Sequence, residues 1–404
     1  MRKKCAAFLK QATDTGMLHS AVIFLFYLSI LTMNQFTGAM VRLFYYAMAI
    51  GACYLGLFAD GKQMRIPKEV TVFALLTFLT GIANILLVGN LDLMKLFYTI
   101  VSVGIALVLL NGSINSNALL AAVLVNAAAV VIRLLIHGMD GPFYISSSAN
   151  YVSVHLLLAA VVYYSVLENQ NKKIPLWPAA LIWVLCLLAK GRAGILFSTF
   201  FLGCLVLHAF VFKMRAVSKR TRRICCGTAG ALIVIAVVCF FALDLVHKIP
   251  LFQRFAMHGL SGNGRDLIWT QYFQICASDL KALIFAPNLE TMFRAAQHNG
   301  NVHNSFINVH AFNGIVMLAA FLAMCVNTAL YVIKKGRWIV LICFITICLR
   351  GFTDFVFWGA SGTPIMLYFL LLPIVETQKW GVWELNIPQL WGFVRQKLLK
   401  EKDK

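Results

Sequence analysis

Charge is what this chain has least of. Asp, Glu, Lys and Arg make up 12% of its 404 residues, against 61% apolar residues, and the mean hydropathy is +0.81. So little polar material does not cover water-soluble domains of this length, which excludes a soluble fold. Acidic residues are scarcer still, 15 against 35 Lys and Arg. In so apolar a chain that imbalance reports orientation and attraction to anionic headgroups, not nucleic acid. No CxxC framework is present, and most of the 11 cysteines lie inside apolar runs, where a thiol acts as a small hydrophobe. Cys276 falls in a candidate external loop without a loop partner, so neither a disulfide scaffold nor a zinc site is expected. The basic first 20 residues lack a cleavage-type small-residue site, and the first apolar run is expected to stay as a span. No internal repeat of clear period is visible.

What is there is a series of apolar stretches, starting near Ala21, Ala39, Val70, Met94, Ala118, Tyr151, Leu176, Ala193, Ile224, Ile307, Trp338 and Thr363. Each ends at charges, Pro, or Gly/Asn clusters. A spanning helix needs roughly 20 mostly apolar residues, so the expected fold is an all-α polytopic membrane protein of about twelve spans. When connections are assigned alternately to two sides, most Lys and Arg gather on one, including Lys62, Arg65, Lys68, the cluster Lys213 to Arg223, and the tail after Glu376. Both termini are therefore predicted to be cytoplasmic. The whole chain, 1–404, reads as a single membrane domain, with 247–305 an extracytoplasmic loop between spans nine and ten and 377–404 a basic cytoplasmic tail. Trp380, Trp383 and Trp391 read as an interfacial anchor in that tail.

Within the large loop, Leu267, Ile268, Tyr272, Ile275 and Cys276 recur near helical spacing, and Trp269 and Phe273 broaden the stripe. The pattern predicts one amphipathic helix over 265–285, lying at the interface or packed as a lid. Charged groups at membrane depth need an interior partner, a water cavity or a route to the headgroups. Arg42 and Arg133 could reach an interface by snorkelling, and Asp244 needs one of these solutions too. Arg350 is followed by Thr353 and Asp354, which reads either as a structural ion pair or as a jointly shaped polar pocket.

Two external segments concentrate chemistry. The turn Lys190, Gly191, Arg192, Ala193, Gly194 carries two cations beside glycines, suited to phosphate oxygens or simply to a helix hairpin with interfacial cations. The second is His303, Asn304 and Ser305, with Asn308, Asn313 and Gly314 continuing as a polar stripe into an apolar span. A histidine there serves either as a proton acceptor for a hydroxyl or as a cap of the next helix.

In order and topology these residues resemble the bacterial O-antigen ligase and polysaccharide polymerase superfamily. The resemblance rests on Lys190, Gly191 and Arg192; on Gly264 and Arg265 with Trp269 one turn on; on His303 and Asn304 with Gly314; and on Asn150 and Tyr151 opening span six. It covers Asn150 to Pro364. It departs where Ala286, Pro287, Asn288, Leu289 and Glu290 replace the family's glycine-rich turn, and where the second glycine after Gly314 is missing.

The resemblance implies a GT-C-like glycosyltransferase of the bacterial cytoplasmic membrane, working at its outer face without metal, nucleotide sugar or other cofactor. The donor it implies is an undecaprenyl-diphosphate-linked glycan, and other polysaccharide-assembly proteins and membrane lipids are the expected partners. It assigns His303, Arg265 and Arg192 to catalysis, the arginines holding the diphosphate. Lys190, Asn304, Arg294, Arg350 and Asp354 become substrate-binding candidates. A polymerase of lipid-linked repeats is the expected activity; a ligase acting on a lipid A-core acceptor is its alternative. From a different class, a lipid-linked oligosaccharide flippase or secondary transporter is disfavoured, because the two halves do not match and the polar residues gather at the external mouth.

Overall fold

The computed structural model describes residues 15–36, 39–58, 64–111, 114–138, 150–214, 221, 265–296 and 302–385. The expected ninth span from Ile224, Asp244, Gly264, the extreme N-terminus, Trp391 and most of the tail lie outside the described residues.

Among the described residues the chain is almost wholly helical: α1 (Thr15–Gln35), α2 (Ala39–Phe58), α3 (Lys68–Leu87), α4 (Leu93–Asn111), α5 (Ser116–His137), α6 (Asn150–Asn169), α7 (Trp177–Leu188) and α8 (Arg192–Met214) come first. After the undescribed stretch come α9 (Arg265–Ser278), α10 (Leu280–Phe285), α11 (Leu289–Ala296), α12 (Ser305–Lys334), α13 (Trp338–Thr353) and α14 (Thr363–Thr377). Six of them, α3, α4, α5, α6, α8 and α12, are long and apolar enough to cross a membrane, and α1, α2, α7, α13 and α14 contain shorter apolar helices.

Two helices form the middle of the bundle. In α6 every residue from Val152 to Leu167 is buried, and in α14 every residue from Thr363 to Pro373. A helix apolar on all faces and buried on all faces is a core element. Around them, Leu79, Leu86, Leu135 and Leu330 stand exposed on the outer helices. Such apolar surface suits hydrocarbon, where all backbone groups must be satisfied within helices.

Polar contacts at helix ends fix the arrangement. At one end, the Glu168 carboxylate accepts from the backbone N–H of Ile339 (3.1 Å) and Val340 (2.7 Å), so the end of α6 caps the start of α13. At the same end β1 (Met64–Pro67) pairs antiparallel with β2 (Val382–Leu385), Ile66 opposite Trp383. Lys68 Nζ lies 5.0 Å over the Trp383 ring. The strand pairing places the segment after α2 beside the segment after α14. It also means that, after the turn 378–381, the chain beyond α14 forms a strand over Val382–Leu385, where a basic tail was expected.

At the other end lies the connection between α13 and α14. Val356, Phe357 and Trp358 in this non-helical stretch are buried, and the Trp358 indole N–H donates to Asn313 Oδ1 at 2.8 Å, two turns inside α12. Irregular backbone at such depth is tolerated only when enclosed by protein. Gly351 makes room for it, since any Cβ there would collide with the Phe357 ring.

The external helix departs from its expected form. The run 265–285 breaks at Asp279, whose side chain accepts from Lys281 N–H at 2.8 Å and starts α10 as its N-cap. Ile268, Tyr272 and Cys276 are buried on α9 as the pattern predicts, but Leu267 and Phe273 are exposed.

Candidate active site

The site is built around one carboxylate. Asp354 ends α13 in an extended conformation and is buried. Its oxygens meet Arg350 Nη2 at 3.4 Å, Arg265 Nη2 at 3.8 Å and His303 Nδ1 at 3.3 Å. The backbone N–H of Phe355 adds a donor at 3.0 Å. Burial alone would raise the Asp354 pKa; the His303 hydrogen bond, the Arg350 and Arg265 charges and the Phe355 N–H outweigh it and hold the carboxyl at about 2.

The groups around Asp354 divide into back and front. Arg350, 1% exposed, spends its other donors on the Asn150 carbonyl (2.9 Å), Ser153 Oγ (3.3 Å) and Thr353 Oγ1 (3.1 Å). Such a buried, fully engaged guanidinium ties α6 to α13. Arg265 and His303 face outward, with side chains 21% and 36% exposed. Arg265 also donates to the Thr353 carbonyl. Because an ionised carboxylate only accepts, His303 presents Nδ1–H to Asp354, which leaves Nε2 as its basic nitrogen.

Local structure holds the front groups in place. Arg265 opens α9; one turn on, the Trp269 indole N–H donates to the Val302 carbonyl (2.8 Å) and its ring meets Phe352 edge-on at 5.6 Å. His303 sits at φ 49° just before α12. Asn304 is the cap of that helix, its Oδ1 accepting from Phe306 N–H (2.9 Å) and Ile307 N–H (3.1 Å). Of the two sequence readings for this corner, capping therefore belongs to Asn304, and His303 turns to Asp354. Ser305 Oγ donates to the Asp354 carbonyl (2.8 Å) and accepts from Val356 N–H (2.7 Å), locking the connector onto α12.

Arg192 opens α8 and is half-buried. Two residues on, a Cβ at Gly194 would lie 3.1 Å from Ser153 Cβ, so the start of α8 packs at the end that holds Arg350's partner Ser153. Lys190, in the turn before it, has φ 53°. Arg294 is placed differently from expectation: it pairs with Glu290 on the exposed surface of its own helix α11. Arg133 meets the buried Gln35 Oε1 and the exposed His137 Nε2, both at 2.9 Å. Sequence reasoning did not single out Ser153 or His310, and it read Tyr272 only as part of an apolar stripe; their signal was only that a hydroxyl or an imidazole sits among apolar residues.

Beside the front groups an apolar cavity of about 520 Å³ runs between α9 and α12, lined by Trp269, Tyr272, Phe306, His310, Leu318 and Phe352. Trp269 and Phe352 belong to both, since each lies within one turn of the Asp354 cluster. Among the described residues no group of three His, Cys, Asp or Glu could hold a metal ion.

Fold and site thus define, among the described residues, a helical protein with helices long and apolar enough to cross a membrane and a polar cluster of buried Asp and Arg that presents one arginine and one histidine beside an apolar cavity. Comparison with family models, with curated proteins and with solved structures gives no match for this chain.

Proposed function

We propose that this protein is a glycosyltransferase of the bacterial cytoplasmic membrane that polymerises undecaprenyl-diphosphate-linked oligosaccharide repeats. The observation that carries the reading is the sharing of Asp354 by His303 and Arg265 next to an apolar cavity. An amphiphile with an anionic diphosphate and an apolar chain fits a cation and a cavity set side by side.

In the reaction an acceptor hydroxyl oxygen bonds to the anomeric carbon, and the bond from that carbon to the lipid diphosphate breaks. Negative charge collects on the leaving diphosphate, where Arg265, and Arg192 at the same end, supply preorganised guanidinium groups. His303 Nε2 takes the hydroxyl proton, and Asp354 stabilises the imidazolium that results. The topology that goes with this reading has about twelve spans, cytoplasmic termini and the 247–305 loop outside.

The test uses the full-length protein in vesicles with a lipid-diphosphate-linked repeat, following released lipid diphosphate and polymer. His303→Ala is expected to cut turnover by about 10²-fold or more while the protein stays folded. Unchanged turnover in folded protein would remove the role. Supplying a second lipid-linked repeat or a lipid A-core acceptor separates polymerase from ligase by which one is extended.

A further inference from the structure

His310 lies two turns below His303 on α12 and takes no part in the chemistry above. Its ring joins three helices. Nε2 is 2.8 Å from the Leu283 carbonyl on α10, and Nδ1 is 2.6 Å from Tyr272 OH on α9. A carbonyl oxygen only accepts, so Nε2 carries the proton; in the neutral ring Nδ1 then accepts, and the Tyr272 hydroxyl donates. Both bonds are satisfied by one protonation state and one tautomer.

The surroundings offer no second solution. The cavity that His310 lines is almost wholly apolar, and no carboxylate lines it among the described residues. The titratable groups facing it are Tyr272 and Cys276 from α9; α10 contributes only the non-titrating Leu283 carbonyl and α13 the uncharged ring of Phe352. From α3 comes the uncharged amide of Asn84, which donates to the carbonyls of Phe285 (3.0 Å) and Ala311 (2.9 Å) on either side of the α10–α12 contact. Asp279 and Lys281 at the junction of α9 and α10 are exposed. An imidazolium would put a proton on both nitrogens, turn the Tyr272 hydroxyl into an acceptor and leave its hydrogen without a partner. A buried orphan donor and an unpaired buried charge both act against the docked state.

Docking matters because α9 carries Arg265 at its first position, and α10 is packed so closely on α12 that a Cβ at Gly314 would collide with the Ile284 carbonyl. We infer that His310 is a positioning residue: as the neutral Nε2–H tautomer it seats α9 and α10 on α12 and thereby sets Arg265 beside Asp354, and charging the ring loosens that seat. The seat is independent of the glycosyltransfer reading; only its effect on turnover rests on it.

The experiment is hydrogen exchange of the 265–285 amides in the full chain in lipid nanodiscs, corrected for intrinsic rates, at pH 7.5 and 5.5. Tyr272→Phe keeps the ring and loses one bond, and is expected to speed exchange of α9 about tenfold at pH 7.5, the equivalent of one buried hydrogen bond. In the unaltered protein the same amides should speed up at pH 5.5, whereas His310→Gln, which has no proton to gain, should show no pH response. A response that survives in His310→Gln overturns the proposal, and so does unaltered protein with no response. With the repeat-linked donor, Tyr272→Phe should lower kcat/KM while α9 exchange rises. If exchange behaves as stated and no variant turns over donor, the seat stands and the glycosyltransferase reading falls.

Discussion

Arg350 and Arg265 reach the same carboxylate, from the end of one helix and the start of another, yet they are opposite kinds of residue. Arg350 is enclosed at 1% exposure and divides its donors among Asn150, Ser153, Thr353 and Asp354. Arg265 is 21% exposed, and its guanidinium touches the Thr353 carbonyl and Asp354 while keeping an open side. The difference teaches how to read a charge packed against apolar helices. A guanidinium whose donors are all taken by protein holds helices together, and one with donors to spare is available to an anion. The sequence offers Arg265 as a catalytic and Arg350 as a substrate-binding candidate; the geometry leaves Arg265 partly open and encloses Arg350 behind Asp354.

Removing each arginine in turn is the most severe test of that division. Arg350→Ala leaves the Asp354 charge buried with less compensation and frees the Asn150 carbonyl, so it should destabilise the fold by about 3–5 kcal/mol, read as a large drop in thermal unfolding temperature in detergent. Arg265→Ala should leave unfolding within about 1 kcal/mol of the unaltered protein and reduce transfer by about 10²–10³-fold. If Arg350→Ala unfolds normally, or Arg265→Ala collapses the protein, the two residues are not what their burial makes them.

Acid sharpens the same comparison through their common partner. The Asp354 pKa is depressed from the ordinary 3.8 to about 2 by His303 and the two arginines, against its burial. A depressed carboxyl stabilises the fold fully above its unfolded pKa, and the stabilisation is lost as pH falls through the folded one. The contribution, about 2 kcal/mol at neutral pH, should thus be flat from pH 7 to about 5 and decline between about pH 4 and 2. Unfolding of Asp354→Asn against pH should lack that acid limb. An identical limb in the variant would mean that Asp354 is not the group responsible.

The sequence exposed the site more readily than it exposed the architecture around it, and for one reason. In an apolar chain every charge near a span is conspicuous because it is costly, so Arg350 and Asp354 stood out together, whereas Arg265 and His303 took their roles from the resemblance. Their convergence was not legible, since nothing in the chain says that α9 and α13 end at one carboxylate. Apolar patterning misled where it is usually informative: Leu267 and Phe273 continue the stripe of α9 yet are exposed. Beside lipid an apolar side chain gains little by turning inward, so periodicity loses its power to mark the core. The break at Asp279 was hidden for a related reason, the apolar spacing running on through the cap. Arg294 was overvalued although Glu290 stands one turn before it, a spacing that already predicts a surface pair.

The smallest effect belongs to the turn between α10 and α11. Ala286 adopts φ 84°, ψ 155°, a region that side-chain-bearing residues avoid and glycine enters freely. The backbone keeps a glycine-like path although alanine occupies it. The turn is fastened on both flanks, by Asn84 Nδ2 to the Phe285 carbonyl at 3.0 Å and by Asn90 Nδ2 to the Pro287 carbonyl at 2.7 Å, which is how the alanine is held in so unfavourable a place. Ala286→Gly should therefore stabilise the fold, by about 1 kcal/mol at most, because relief at φ > 0 is partly offset by the extra freedom that glycine gives the unfolded chain. Loss of stability on that substitution would show that the turn does not hold Ala286 at positive φ. It would also weaken the picture of α10 as pinned at Ala286 on one side and at His310 on the other.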